Sequence, residues 1–195
     1  MANINQKPSK YMYNLLHVLP PFVDEEKGIL NTIVEIGPGS INKYEIITES
    51  GQLKLDRVGY SSMSYPFSYG AIPMTWDFDG DPLDVEIINI TEPLVPGSLV
   101  EARVIGVMKF IDGGEIDDKI IAVLNADKRS DHIKNVDDLG EYFKTETKYF
   151  WENLKALKKA GSGVVETFHG PDEAIKIIKE CQEKYQKEYA PKLEE

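Results

Sequence analysis

The chain has 195 residues, enough for one well-cored domain and barely enough for two. Its 42% hydrophobic and 28% charged residues fit a soluble globular protein, and no apolar run approaches the length of a membrane span. With 33 acidic against 22 basic residues the formal net charge is −11, which argues against nucleic acid as a partner; an acidic chain can still take an anionic substrate if divalent cations bring the positive charge.

Residues 1–30 read as an irregular arm with short apolar patches. Its stretch from Tyr11 to Val23 is broken by Asn14, His17 and Pro20-Pro21 and makes a poor export signal. The single cysteine, Cys181, excludes an internal disulfide and fits a reducing compartment, so a cytoplasmic location is expected. From Thr32 to Leu124 the pattern is strand-like. Thr32–Ile36, Lys43–Thr48, Leu53–Val58, Val85–Ile90, Leu99–Ile111 and Lys119–Leu124 are rich in Val, Ile and Tyr, and Gly, Pro, Ser and Asp punctuate them. Many short strands with few helices between them predict a closed or nearly closed barrel.

The last third changes character. Asp137-Asp138 can open a helix in which Leu139, Tyr142, Phe143, Phe150, Trp151, Leu154 and Leu157 recur at helical spacing, with Gly161-Ser162-Gly163 ending it. Pro171 starts a second helix with Ala174, Ile175, Ile177, Ile178, Cys181 and Tyr185 on one side. The expected fold is α+β but mainly β: a closed OB-like β-barrel with two C-terminal helices packed against it. It is expected to form a single domain over 1–195, with an arm (1–30), a barrel (31–130) and a mostly helical part (131–195).

The chemistry concentrates in Asp77-Phe78-Asp79-Gly80-Asp81-Pro82-Leu83-Asp84, where four of eight residues are carboxylates that repel one another. A solvated turn is one reading, because Asp-Gly is a common hairpin signal. Two details favour a metal site: the acids stand at the entry to an apolar strand, and Pro82 stiffens the segment that holds them. An EF-hand loop starting at Asp77 would need Gly and Glu where Pro82 and Ile88 stand. The histidines and Cys181 are too scattered for zinc. Oxygen ligands alone point to Mg²⁺, Mn²⁺ or Ca²⁺.

A second acidic run, Asp112-Gly113-Gly114-Glu115-Ile116-Asp117-Asp118-Lys119, opens onto another apolar strand. Taken alone it reads more readily as a charged hairpin tip, but two such turns meeting at one barrel rim could hold several divalent ions on phosphoryl oxygens. Phosphate donors are available in Lys43-Tyr44-Glu45, Asp56-Arg57 and Tyr65-Pro66-Phe67-Ser68-Tyr69-Gly70. A Walker-type loop and a Gly-x-Ser-x-Gly elbow are both absent.

The ordered series Glu35-Ile36, Lys43-Tyr44-Glu45, Asp56-Arg57, Tyr65-Pro66-x-x-Tyr69-Gly70, Asp79-Gly80-Asp81-Pro82-x-Asp84, Asp112 to Lys119 and Lys155 closely resembles family I soluble inorganic pyrophosphatases of the bacterial type. The resemblance implies hydrolysis of inorganic diphosphate with several Mg²⁺ ions per site, Mn²⁺ being a substitute. It implies that Asp79, Asp84 and Asp117 ligate the ion that activates water, with Asp84 bridging to a second ion. Asp112 and Glu45 resemble carboxylates that serve further ions, and Asp81 is similar to the residue proposed as general base. Lys43, Arg57, Tyr69, Lys119 and Lys155 resemble the donors to the two phosphoryl groups, with Glu35 and Tyr65 supporting the pocket. A homo-oligomer, often a hexamer in such enzymes, is implied too, although the first helix lacks the histidines that help hold that hexamer. Leu154 stands where the family usually has Tyr before the helix lysine, so one hydroxyl donor is missing. Hydrolysis of nucleotides or short polyphosphates, and a non-catalytic ion-binding homologue, are the competing readings.

Overall fold

The computed structural model describes residues 14–88 and 91–193. The expectations for the arm before Asn14, and for the Asn89-Ile90 end of a strand, lie outside those residues. Helix α1 (Leu15–Val18), capped by the Asn14 side chain, leads into β1 (Phe22–Asp24) and β2 (Ile29–Ile36). A separate hairpin follows, β3 (Asn42–Ile46) with β4 (Leu53–Val58), then β5 (Ser68–Ala71) and β6 (Asp84–Ile88). The long strand β7 (Leu99–Asp112) turns through β8 (Glu115–Ile116) into β9 (Lys119–Leu124). Helix α2 (Gly140–Asn153), strand β10 (Gly163–His169) and helix α3 (Pro171–Lys184) complete the order.

Pairing closes the sheet into a five-stranded barrel. β2 lies antiparallel to β5 and β7, β5 to β6, and β9 to β7, while β6 and β9 pair in parallel. Gly70 permits one of these approaches: a Cβ there would stand 2.1 Å from the Ile33 carbonyl oxygen, inside any tolerable contact. The run Lys119-Ile-Ile-Ala-Val-Leu124 is apolar on both faces because both are covered. Ile121 and Val123 join a core with Phe150 and Trp151 of α2, whereas Ile120 and Ala122 join one with Ala174, Ile177 and Ile178 of α3.

The expected strands are found with ends shifted by a few residues, and β1, β5, β8 and β10 are additional. β5 is four residues, Ser-Tyr-Gly-Ala, too short and too poor in β-branched residues to stand out. β10 lies inside the part expected to be mostly helical; its pairing with β7 supplies the order that its own pattern lacks. The first helix is shorter than expected. A 3₁₀ turn at Val136–Leu139, closed by a capping box between Asn135 and Asp138, precedes α2, which stops at Asn153. Thr147, Phe150, Trp151 and Leu154 form the buried stripe, while Tyr142 points outward and Leu157 is 76% exposed. Lys155 therefore stands in the turn after α2 and not on the helix.

Candidate active site

Parallel pairing of β6 with β9 sets Asp84 opposite Lys119. Two parallel strands begin at the same end, so the acid-rich turns that precede them meet at one rim. The first turn is tightly tied. Gly80 takes φ 88°, the Asp77 N–H donates to the Asp81 carbonyl at 2.7 Å, and the Asp81 N–H donates to the Asp79 carboxylate at 3.1 Å. Thr75 accepts the Leu83 N–H at 2.9 Å and the Lys184 ammonium donates to the Asp77 carbonyl at 2.6 Å, anchoring the turn to the core and to α3.

The hairpin β3–β4 forms the opposite wall, with Lys43 across from Arg57. Glu35, buried on β2, accepts the Ile46 N–H at 2.7 Å and so ties that hairpin to the barrel. Tyr69 projects from β5, Tyr65 from the loop before it, and Lys155 from the turn after α2. All thirteen residues singled out in the sequence line one cleft of about 500 Å³: Glu35, Lys43, Glu45, Arg57, Tyr65, Tyr69, Asp79, Asp81, Asp84, Asp112, Asp117, Lys119 and Lys155.

Within the cleft the lysines are held by acids. Lys43 bonds Glu45, Lys155 bonds Asp112, and Lys119 bridges Asp84 and Asp117. Arg57 pairs with its neighbour Asp56 at 2.7 Å. Lys119 is only 1% exposed; burial alone would lower its pKa, but Asp84 and Asp117 outweigh it and hold the ammonium charged. Burial, then the Asp84 charge, lifts Glu35 to about 8. Burial, then Asp117 and Asp84, lifts Asp79 to about 7, and burial with Asp84 and Glu45 raises Asp81. Tyr65 is pushed up to about 12 by burial, so it remains a neutral donor.

The inorganic pyrophosphatase family model matches residues 32–186. The chain belongs to the inorganic pyrophosphatase family. The inorganic pyrophosphatase of Geobacillus stearothermophilus is 41% identical over 160 residues, covering 82% of this chain and 96% of that relative. Among solved structures, an inorganic pyrophosphatase from Neisseria gonorrhoeae superposes with a TM-score of 0.84 at 40% identity, over 88% of this chain and 99% of its own. The enzyme from Thermus thermophilus gives 0.81 at 38% identity, over 89% and 99%.

The donor chemistry of this family member suits hard divalent ions. Nine carboxylates, including Glu49 and Glu115, face five cationic side chains in the one cleft. The raised pKa values of Glu35, Asp79 and Asp81 register that surplus of buried negative charge, which a divalent cation relieves. Asp84 and Asp117 lie close enough to share one ammonium, and among the described residues the cleft's lining offers carboxylates and no His or Cys.

Sequence reasoning passed over several cleft neighbours. Lys54 and Glu49 line the cleft and look like ordinary surface charges along the chain, and Glu115, named within the second acidic run, lines it without having been given a role. Trp151 was assigned to the helix's apolar stripe, which is correct, but it also forms the cleft floor beneath Lys119. Glu86 was missed although it left a signal, a lone acid inside an apolar strand. It is fully buried, accepts the Trp151 indole N–H at 2.6 Å, and is lifted to about 8 by burial.

Proposed function

We propose that this chain hydrolyses inorganic diphosphate to two phosphates and requires Mg²⁺, with Mn²⁺ able to substitute. The observation that carries the reading is the convergence of the two acidic turns with Lys43, Arg57, Tyr69, Lys119 and Lys155 in one cleft. Diphosphate is a small polyanion with no apolar handle, so its site must consist of cations and donors. Asp79, Asp84 and Asp117 would hold the ion that activates water, and Asp84 would also serve a second ion. Asp112 and Glu45 would hold ions that come with substrate. When bound, the ions supply Lewis acidity and make water nucleophilic near neutral pH.

The side chains do the rest. Asp81 faces the cleft from a rigid turn, and its raised pKa suits it to take a proton from the attacking water. Lys43, Arg57, Tyr69, Lys119 and Lys155 donate to phosphoryl oxygens, and those of them on the leaving phosphate offset the charge that grows there. Glu35 steadies the hairpin carrying Lys43 and Glu45, and Tyr65 fills the wall behind Tyr69. The Lys43–Glu45, Lys119–Asp84 and Lys155–Asp112 pairs keep donors and acids in register until ligand arrives. On binding, Glu45, Asp84 and Asp112 would be free to hold ions, and Lys43, Lys119 and Lys155 to donate to phosphoryl oxygens.

Phosphate release from diphosphate, with and without Mg²⁺ and chelator, tests the reading. No metal-dependent release from folded protein would sink it. Faster release from a nucleoside triphosphate or tripolyphosphate would transfer the reading to a broader phosphohydrolase.

The same reading takes the chain as one domain that works as a homo-oligomer, up to a hexamer, in the cytoplasm. Supporting it are the buried lone thiol, the outward Tyr142 and Tyr149 of α2, and the lack, among the described residues, of any helix long and apolar enough to cross a membrane. Sedimentation of the purified protein checks the assembly.

A further inference from the structure

Glu86 has no part in the reaction just described, yet it is 0% exposed and two residues along β6 from Asp84. Strand periodicity points both acids to the α2 side of the barrel. The Glu86 Oε1 accepts the Trp151 Nε1–H at 2.6 Å, and Oε2 has no hydrogen-bond partner. A carboxyl group in an aromatic core costs free energy that a leucine of similar volume would not. Packing therefore gives no account of it; orientation of the indole does.

The Trp151 ring lies between Phe67, Tyr69 and Phe110, with centroids at 6.3, 5.6 and 5.4 Å. Above it stands the Lys119 ammonium, 5.3 Å from the Trp151 centroid, nearer than to Tyr69 at 5.7 Å or Phe110 at 6.0 Å. Among the described residues, the charged partners of that ammonium are Asp84 and Asp117, the acids proposed to serve cations. Once those acids are so engaged, the aromatic floor keeps the ammonium aimed at the phosphate. An indole face attracts a desolvated cation, and that attraction depends on the ring plane.

We propose that Glu86 is a positioning residue: by holding the Trp151 indole N–H it fixes the ring beneath Lys119 and sets where that ammonium meets a phosphoryl oxygen. The proposal rests on the diphosphate reading. A donor that binds phosphate in ground and transition states alike acts mainly on KM, whereas loss of folded enzyme lowers the apparent kcat at constant KM.

Three variants of the full chain, assayed with Mg²⁺ and diphosphate, test it. Glu86→Leu is expected to raise KM about tenfold with kcat changed less than about threefold. It also shifts the Trp151 Nε1–H resonance in ¹⁵N spectra, distinguished from that of Trp76 by its loss in Trp151→Phe. Glu86→Gln, whose amide oxygen still accepts the indole N–H, keeps both near wild type. Trp151→Phe, which retains an aromatic ring but no N–H, raises KM as Glu86→Leu does. An unchanged KM in Glu86→Leu, a fall in kcat alone, an unmoved resonance, or a Gln variant as impaired as the Leu variant would overturn the proposal. Wild-type protein inert toward diphosphate would strike the function reading instead, and the resonance comparison would then decide whether Glu86 holds the indole.

Discussion

Asp81 stands in the turn before β6, its backbone N–H donated to Asp79 and its carboxyl left facing the cleft. A side chain so placed can move a proton without contributing to the grip on cations. Asp81→Asn is accordingly expected to cut kcat by about 10²–10⁴, while calorimetric Mg²⁺ affinity stays within about threefold because Asp79, Asp84 and Asp117 are intact. A fully active variant would refute the assignment. Leu154 is buried against the aromatic core and also lines the cleft beside Lys155. Tyrosine at that position would keep the apolar contact and bring a hydroxyl to the cleft. Leu154→Tyr is expected to lower KM for diphosphate by about 3–10-fold, the range of one added hydrogen bond of ordinary net strength. An unchanged KM would mean that another donor or water already fills that place.

The hairpin β3–β4 forms a sheet of its own and carries Lys43, Glu45 and Arg57, so its attachments matter to the cleft. One is Glu35 on the Ile46 N–H; another is His17 of α1. The His17 Nε2 bonds the Thr48 carbonyl at 2.7 Å, so it must carry the proton, and Nδ1 then accepts the Tyr185 hydroxyl at 2.8 Å. This neutral tautomer joins the loop after β3 to the end of α3. Burial holds the His17 pKa below 6.5, with the Thr48 bond and Glu49 only partly offsetting it. The folded value lies under the unfolded one, so protons favour unfolding. The stability contribution is complete above pH 6.5 and is lost as pH falls below it. His17→Phe is expected to lose about 1–2 kcal/mol at pH 7.5 in urea unfolding, from the orphaned Tyr185 and Thr48 groups. The gap from wild type should narrow at pH 5, and a constant gap would contradict this account.

For the molecule as a whole, the acidic cleft means that the metal-free fold works against its own charge. Burial first and neighbouring acids second lift Glu35 to about 8 and Asp79 to about 7, from 4.5 and 3.8. Folded values above unfolded ones reverse the usual carboxylate pattern. The penalty is absent below the unfolded values, grows as pH rises, and is complete once pH exceeds the folded values. Metal-free protein is expected to melt about 5–10 °C lower at pH 8.5 than at pH 5.5, a few kcal/mol in a chain of this size. Saturating Mg²⁺ should restore most of that at pH 8.5 and little at pH 5.5, where protons already neutralise the acids. Differential scanning calorimetry with and without chelator measures both. Equal Mg²⁺ stabilisation at the two pH values would show that the carboxylates are not where the ion binds.

Local pattern was enough for the barrel-plus-two-helices architecture, for the strand core from Thr32 to Leu124 and for the two acidic turns, features written in short-range terms of alternation, turn residues and crowded acids. The thirteen cleft residues as a set came from the ordered resemblance to a family, since pattern alone reads Lys43, Arg57 and Tyr69 equally well as surface charge, salt bridge and packing. Elements without such a signature were not legible. β5 and β10 take their order from neighbouring strands, and α2 ends at Asn153 although the apolar spacing runs on to Leu157. Pattern along the chain could raise the convergence of the two acidic turns but not decide it, because an antiparallel β6–β9 pair would have sent them to opposite ends of the barrel. The parallel register setting Asp84 against Lys119 decides it. Glu86 and Trp151 are 65 positions apart and meet only because the end of α2 packs its aromatic side chains into the barrel core, so their hydrogen bond exists at the level of packing alone. Local chemistry is carried by nearest neighbours in the chain, whereas strand direction and helix placement depend on which apolar faces must be buried together.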